Sequence, residues 1–221
     1  MSRKVLFILT NHDRITDIIP TGTWLEEYAK PLKMLRDKGA EVVVASPSGG
    51  KVPIDPNSLK DVDQDQYRAE IQLLEDSKPL DAVDIAEFDA VYFPGGHGPL
   101  FDLPDNPRVK ELLNAFDSRN KTIAAVCHGV AALLAAEGHN GQPLLKGKQV
   151  TGFANSEEEA VGLDKAVPYL LEDRLRELGA DYRKAPKDFD ALVLVDGHII
   201  TGQNPASSVG VAEKLIEQLK L

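Results

Sequence analysis

Residues 122–134, TIAAVCHGVAALL, constrain the fold more than any other stretch of the chain. Ile123, Ala124, Ala125 and Val126 form an uncharged apolar run, which suits a strand buried on both faces of a parallel sheet because helices cover both sides. The pattern then breaks at Cys127, His128 and Gly129, and the Ala- and Leu-rich residues 130–136 predict a buried helix. A side chain on such a tight strand-to-helix turn projects above the sheet, where the first free N–H groups of the helix also point. A cysteine in that place is expected to be reactive: the helix dipole lowers its pKa, and the imidazole of His128 can act as base or ion-pair partner. Cys127 is the single cysteine, so it has no internal disulfide partner and no cysteine cluster to join around zinc. As a small buried hydrophobe it would need no such corner.

The rest of the chain alternates around this unit. Residues 5–10 read as the first buried strand, 11–22 as a loop on its carboxyl side, and 23–38 as a helix carrying Pro31. A second strand over 41–46 completes a right-handed parallel crossover. Residues 47–80 interrupt the rhythm with prolines and aspartates and read as an insertion covering the sheet ends. The strand at 88–94 runs into Gly95-Gly96-His97-Gly98, where glycines let backbone approach a ligand and offer N–H groups; neither a Walker A loop nor a dinucleotide fingerprint is present. Helices are predicted over 107–118, 167–178 and 209–219, and strands over 149–153, 181–185 and 191–195. Asp196-Gly197 signals a late hairpin. The class is therefore α/β: a flavodoxin-like, doubly wound, mostly parallel sheet with helices on both faces and a late β-hairpin, in a single domain over 1–221. Ligand sites in such sheets gather at the carboxyl ends of the strands.

Composition removes several functions. A formal net charge of -10 and no basic, aromatic-interleaved cluster argue against nucleic-acid binding, which depends on neutralising phosphates. The apolar run after Lys4 is too short for a signal sequence, and no stretch approaches a membrane span, so a cytoplasmic protein without membrane contact is expected.

Thr21-Gly22 with Glu27 and Pro31, Pro94-Gly95-Gly96-His97-Gly98, Ala125-Val126-Cys127-His128-Gly129, Thr151-Gly152-Phe153, and Thr201-Gly202 with Asn204-Pro205-Ala206-Ser207 together resemble the ThiJ/PfpI superfamily, whose fold is that of class I glutamine amidotransferases. Within it the combination looks most like the heat-shock glyoxalase III, or D-lactate dehydratase, branch. The resemblance implies conversion of methylglyoxal and water to D-lactate without cofactor or metal, with a stress-protective, chaperone or deglycase role, in a homodimer. It implies Cys127 as nucleophile, His128 as general acid/base and Glu27 as the carboxyl beside the sulfur. Glu158 matches the third member of the triad, with Glu157 and Glu159 as neighbouring alternatives. Gly96, His97 and Gly129 would surround the substrate oxygen. The chemistry suits those residue types, since a thiolate adds readily to an aldehyde and the developing oxyanion needs fixed donors. Partial burial of Glu27 against the sulfur would raise its pKa and keep it a hydrogen-bond donor. The late His-x-Glu pair of the amidotransferases is missing, because Ile199 and Ile200 follow His198. Two other readings stay open: a cysteine peptidase or amidase, and a non-enzymatic stress chaperone with Cys127 as redox sensor.

Overall fold

The computed structural model describes residues 2–60, 62–138 and 141–221. Strand β1 (Lys4–Ile8) is followed by a small hairpin, β2 (Arg14–Thr16) with β3 (Ile19–Pro20), in a segment whose sequence reads as loop. Helix α1 (Leu25–Asp37), β4 (Glu41–Ser46), α2 (Arg68–Leu73), β5 (Lys78–Pro79), β6 (Ala90–Phe93), α3 (Pro99–Asp102), α4 (Pro107–Ser118) and β7 (Thr122–Val126) come next. The second half holds β8 (Gln149–Val150), α5 (Asn155–Ala160), α6 (Leu171–Glu177), β9 (Asp181–Tyr182), β10 (Val193–Asp196), β11 (Ile199–Gly202) and α7 (Ser208–Leu219).

Seven strands form one sheet in the order β10-β11-β7-β6-β1-β4-β5, parallel at every pairing except the β10–β11 hairpin. Its five central strands follow the doubly wound order, so the direction of winding reverses between β1 and β6. Both faces are covered. In β1, Leu6 and Ile8 point into a cluster with Val109, Leu112 and Phe116 of α4, while Val5 and Phe7 pack with Leu25, Tyr28 and Leu32 of α1 and with Val211 and Leu215 of α7. This period of two on an unbroken apolar run is what a strand buried on both sides requires, and each such side chain contributes roughly 1.5–3 kcal/mol of burial. Between β4 and β5, Val52, Tyr67 and Leu74 join the α1 face. No helix among the described residues is long and apolar enough to cross a membrane.

Several boundaries differ from the expectation. Cys127–Ala135 winds as a 3₁₀ helix, not the α-helix that its alanines favour. Tertiary packing overrides propensity there: seven of its residues, Cys127–Leu133, are buried, and the backbone at Gly129 is pressed so close that a Cβ would lie 2.3 Å from the Phe93 carbonyl oxygen. Helix α6 starts at Leu171, after Tyr169 has spent its hydroxyl on the Leu100 carbonyl, 3.2 Å away. The strand expected over 149–153 ends at Val150, and β9 is equally short; the two pair only with each other, outside the main sheet.

Candidate active site

Three loops meet at the carboxyl edge of the sheet, following β1, β6 and β7. The Cys127 turn is tight enough to force φ to 57°, a left-handed conformation that costs a non-glycine residue about 1–3 kcal/mol and recurs at functional sites. It leaves the thiol 3% exposed, with Sγ 3.4 Å from Nδ1 of the next residue, His128. On the other side of that ring, His128 Nε2 lies 2.6 Å from Glu158 Oε2. Glu158 accepts a second imidazole on its remaining oxygen, His97 Nε2 at 2.7 Å. The two rings lie 4.1 Å apart between centroids, tilted by 37°, and Phe153 covers His128 at 4.5 Å.

The tautomers follow from this arrangement. A carboxylate can only accept, so His128 and His97 each present N–H at Nε2, which leaves the Nδ1 lone pair of a neutral His128 facing the thiol. Burial drives His128 below its ordinary pKa, and the neighbouring His97 adds to that, with Glu158 opposing. Burial alone would push Glu158 up, but the charges and hydrogen bonds of the two imidazoles outweigh it and hold the carboxyl well below the usual range.

Glu27 stands on the opposite side of the sulfur. Pro31, four residues on in α1, has no N–H, so the Glu27 carbonyl is freed from the helix ladder and accepts the Tyr92 hydroxyl at 2.8 Å. The side chain is completely buried. Its Oε2 accepts the Gly95 N–H at 2.7 Å, while Oε1 has no nitrogen or oxygen partner and the carboxyl's side-chain neighbour is Cys127. Gly95 must be glycine for this approach, since a Cβ would sit 2.6 Å from Glu27 Oε2 and 2.7 Å from Cys127 Cβ. Burial raises the Glu27 pKa to about 8, with the Gly95 and Cys127 hydrogen bonds opposing, so the carboxyl carries its proton at neutral pH.

The thiol departs from the sequence expectation. Burial pushes Cys127 up, and the nearby Glu27 charge adds to the rise, against the backbone N–H groups of His128 and Gly96 that reach it. The resting pair is a thiol beside a carboxylic acid. The thiol thus has the Nδ1 of His128 on one side and the Glu27 carboxyl on the other.

The three adjacent glutamates separate cleanly. Glu158 faces the histidines. Glu157 is buried and fully spent: its Oε1 accepts from Phe189 N, Gln203 Nε2 and Asn204 Nδ2 at 2.8–2.9 Å, and Oε2 accepts from Ala154 N at 2.9 Å. Glu159 is exposed. Of the residues expected around the substrate oxygen, Gly96 brings its N–H to Cys127, Gly129 packs under Phe93, and the His97 side chain serves Glu158. Trp24, Phe153 and Phe189 enclose a cavity of about 160 Å³ over the thiol. Phe189 carries no sequence signal; it stands at φ 64°, pinned by Glu157 through its N–H. His97, His128 and Glu158 have the composition of a cation site, with ligand atoms within 4.8 Å of one another, but here those atoms are bonded among themselves.

The chain is similar to several known proteins. The glutathione-independent glyoxalase hsp3101 of Schizosaccharomyces pombe is 31% identical over 97% of this chain and 95% of its own. Among solved structures, glyoxalase III from Candida albicans superposes with a TM-score of 0.89 at 28% identity, covering 97% of this chain and 96% of that one. The Rapid Encystment Protein 24 kDa of Francisella tularensis gives 0.93 at 39%, covering 98% and 99%. The model of the DJ-1/PfpI family matches residues 13–218, and the chain belongs to that family.

Proposed function

We propose that the protein is a glutathione-independent glyoxalase acting on small 2-oxoaldehydes, methylglyoxal to D-lactate being the reference reaction. The relay from Cys127 Sγ through His128 to Glu158, set beneath an apolar cavity, carries this reading, and similarity to proteins named glyoxalases supports it. His128 Nδ1 takes the thiol proton, and Glu158 stabilises the imidazolium. The thiolate adds to the aldehyde carbon, forming a C–S bond, and the oxygen receives the His128 proton beside the Gly96 and His128 N–H groups. The neutral imidazole then removes the hydrogen of that carbon as a proton and returns it, through an enediol, to the former keto carbon, while the hydroxyl proton passes to the former keto oxygen. The resulting thioester is hydrolysed by water, releasing the hydroxy acid and the thiol with no change of net oxidation state. Protonated Glu27 hydrogen-bonds the sulfur throughout. Enclosure of a nearly buried thiol beneath Trp24 and Phe153 favours a small aldehyde over a peptide segment.

The test is methylglyoxal consumption by metal-stripped protein without glutathione, with D-lactate assayed as product. Turnover is expected in the natural sequence and absent in Cys127→Ala; no turnover in either removes the reading.

A further inference from the structure

The cavity over Cys127 has a neighbour. A second, outer chamber of about 300 Å³ adjoins it, and Trp24, His97 and Val161 line both, forming the neck where the two meet. The outer walls come from elements outside the relay: Ile15 and Ile19 from the two arms of the β2–β3 hairpin, and Leu163 just beyond α5. Two of the polar groups at its side, the Asp55 carboxylate and the Asn57 amide oxygen, are already engaged. Asp55 accepts from the Thr21 hydroxyl and the Asn57 N–H, both at 2.8 Å, and Asn57 Oδ1 accepts from Lys60 Nζ at 2.8 Å. What remains on offer is mainly aliphatic surface. Methylglyoxal bears only a methyl group on its keto carbon, so it has nothing to place there once its aldehyde carbon is bonded to Cys127.

We propose that the outer chamber is a side-chain subsite, and that 2-oxoaldehydes carrying a bulky apolar group on the keto carbon are the preferred substrates. This rests on the glyoxalase reading. The aldehyde carbon bonds to Cys127, the keto carbon lies at the neck, and its substituent passes Trp24 to rest on Ile15, Ile19 and Leu163. The chemistry is unchanged: for phenylglyoxal, thiol addition, transfer of the C1 hydrogen as a proton to C2 and hydrolysis by one water give mandelate. Apolar complementarity of this kind discriminates between substrates by about 10–200-fold.

The experiment measures kcat/KM for phenylglyoxal, methylglyoxal and 3-deoxyglucosone, the last carrying a polar arm, with the natural chain, Leu163→Trp and Ile19→Glu. In the natural chain phenylglyoxal is expected to exceed methylglyoxal about tenfold and 3-deoxyglucosone by more. Both substitutions, one filling the chamber and one charging its opposite wall, should bring the phenylglyoxal to methylglyoxal ratio close to one. A ratio near one in the natural chain, a preference for the polar arm, or an equal fall for phenylglyoxal and methylglyoxal in the variants overturns the subsite; the last outcome would make the chamber an entry passage. If the natural chain consumes none of the aldehydes, the glyoxalase reading fails, and calorimetry with D-mandelate against D-lactate judges the chamber alone. Tighter mandelate binding that Leu163→Trp abolishes keeps it as an apolar pocket, and equal affinities dismiss it.

Discussion

The two flanks of the Cys127 corner each hold a buried carboxyl, and the two are driven to opposite proton states. Glu158 receives an N–H on each oxygen from His97 and His128, and stays charged although 2% exposed. Glu27 receives one backbone N–H on one oxygen and has only the Cys127 sulfur as its side-chain partner, and burial raises it to about 8. Burial is the first influence on both; at Glu158 the charge of His128 and the hydrogen bonds of both imidazoles outweigh it, whereas at Glu27 the Gly95 and Cys127 hydrogen bonds do not. A thiol between a permanent anion that supports a base and a neutral acid that can donate to sulfur has what it needs to ionise transiently, without the standing thiolate that a helix dipole alone would create.

The largest way to break this asymmetry is Glu158→Gln. An amide offers one acceptor where two N–H groups now arrive, so one imidazole must turn or change tautomer, and the His128 Nδ1 lone pair is no longer held toward the thiol. Loss of kcat by roughly 10³-fold is expected, in line with the tautomer effect in catalytic triads. A fall below tenfold in steady-state methylglyoxal turnover would show that His128 does not depend on Glu158.

Its neighbour sharpens the contrast by failing on a different axis. Glu157 gathers four donors and touches no reacting group, so Glu157→Gln sets an amide N–H against existing donors. A stability loss of about 2–4 kcal/mol in denaturant unfolding is expected. Intact stability would mean that the loop holding Phe189, Gln203 and Asn204 is fixed by other contacts.

Glu27→Gln keeps a neutral donor beside the sulfur but removes the proton that can be shared with it, and about 10²-fold lower kcat is expected. The pH dependence of stability is the sharper readout. The folded state holds the Glu27 proton between pH 4.5, its ordinary value, and about 8, whereas the unfolded chain has released it. Stability from this group is therefore full below pH 4.5 and lost as the pH rises toward 8, at up to about 1.4 kcal/mol per unit. His128 and Glu158 are both lowered, so their contribution runs the other way and is lost as the pH falls through their folded values. Glu27→Gln should flatten the alkaline decline of the natural chain and leave the acid limb in place. An unchanged alkaline limb in urea titrations would mean that Glu27 is ionised in the native state.

Much of this site is written locally and therefore legible. The run 123–126 followed by Cys-His-Gly announces a buried strand and a tight corner, because both signals lie within a few residues. The β1, β4, β6 and β7 strands announce themselves the same way. What escaped depends on long-range packing. A helix turns about 100° per residue, so composition cannot say which of Glu157, Glu158 and Glu159 faces the histidines. The Phe189 role depends on a carboxylate 32 positions away. The hairpin at 14–20 is too short and polar at its start to stand out. The Cys127 pKa followed burial and the Glu27 charge, neither of which the local turn motif encodes.

The smallest effect concerns what holds Glu27 in place. Its carbonyl is buried in α1 and, with Pro31 at the position that would normally donate to it, depends on the Tyr92 hydroxyl. Tyr92→Phe should leave that oxygen unpaired and cost about 1–3 kcal/mol, the range for an unsatisfied buried polar group. Pro31→Ala restores the missing helical N–H. In the double variant the new bond from residue 31 satisfies the Glu27 carbonyl, and the penalty of losing the hydroxyl should shrink to under about 1 kcal/mol. The double-mutant cycle thus has a signed coupling, with the two changes together costing less than their sum. Additive effects in thermal or urea unfolding would mean that Pro31 and Tyr92 act independently, and that Glu27, unlike the doubly held Glu158, is positioned by its packing and the single Gly95 N–H.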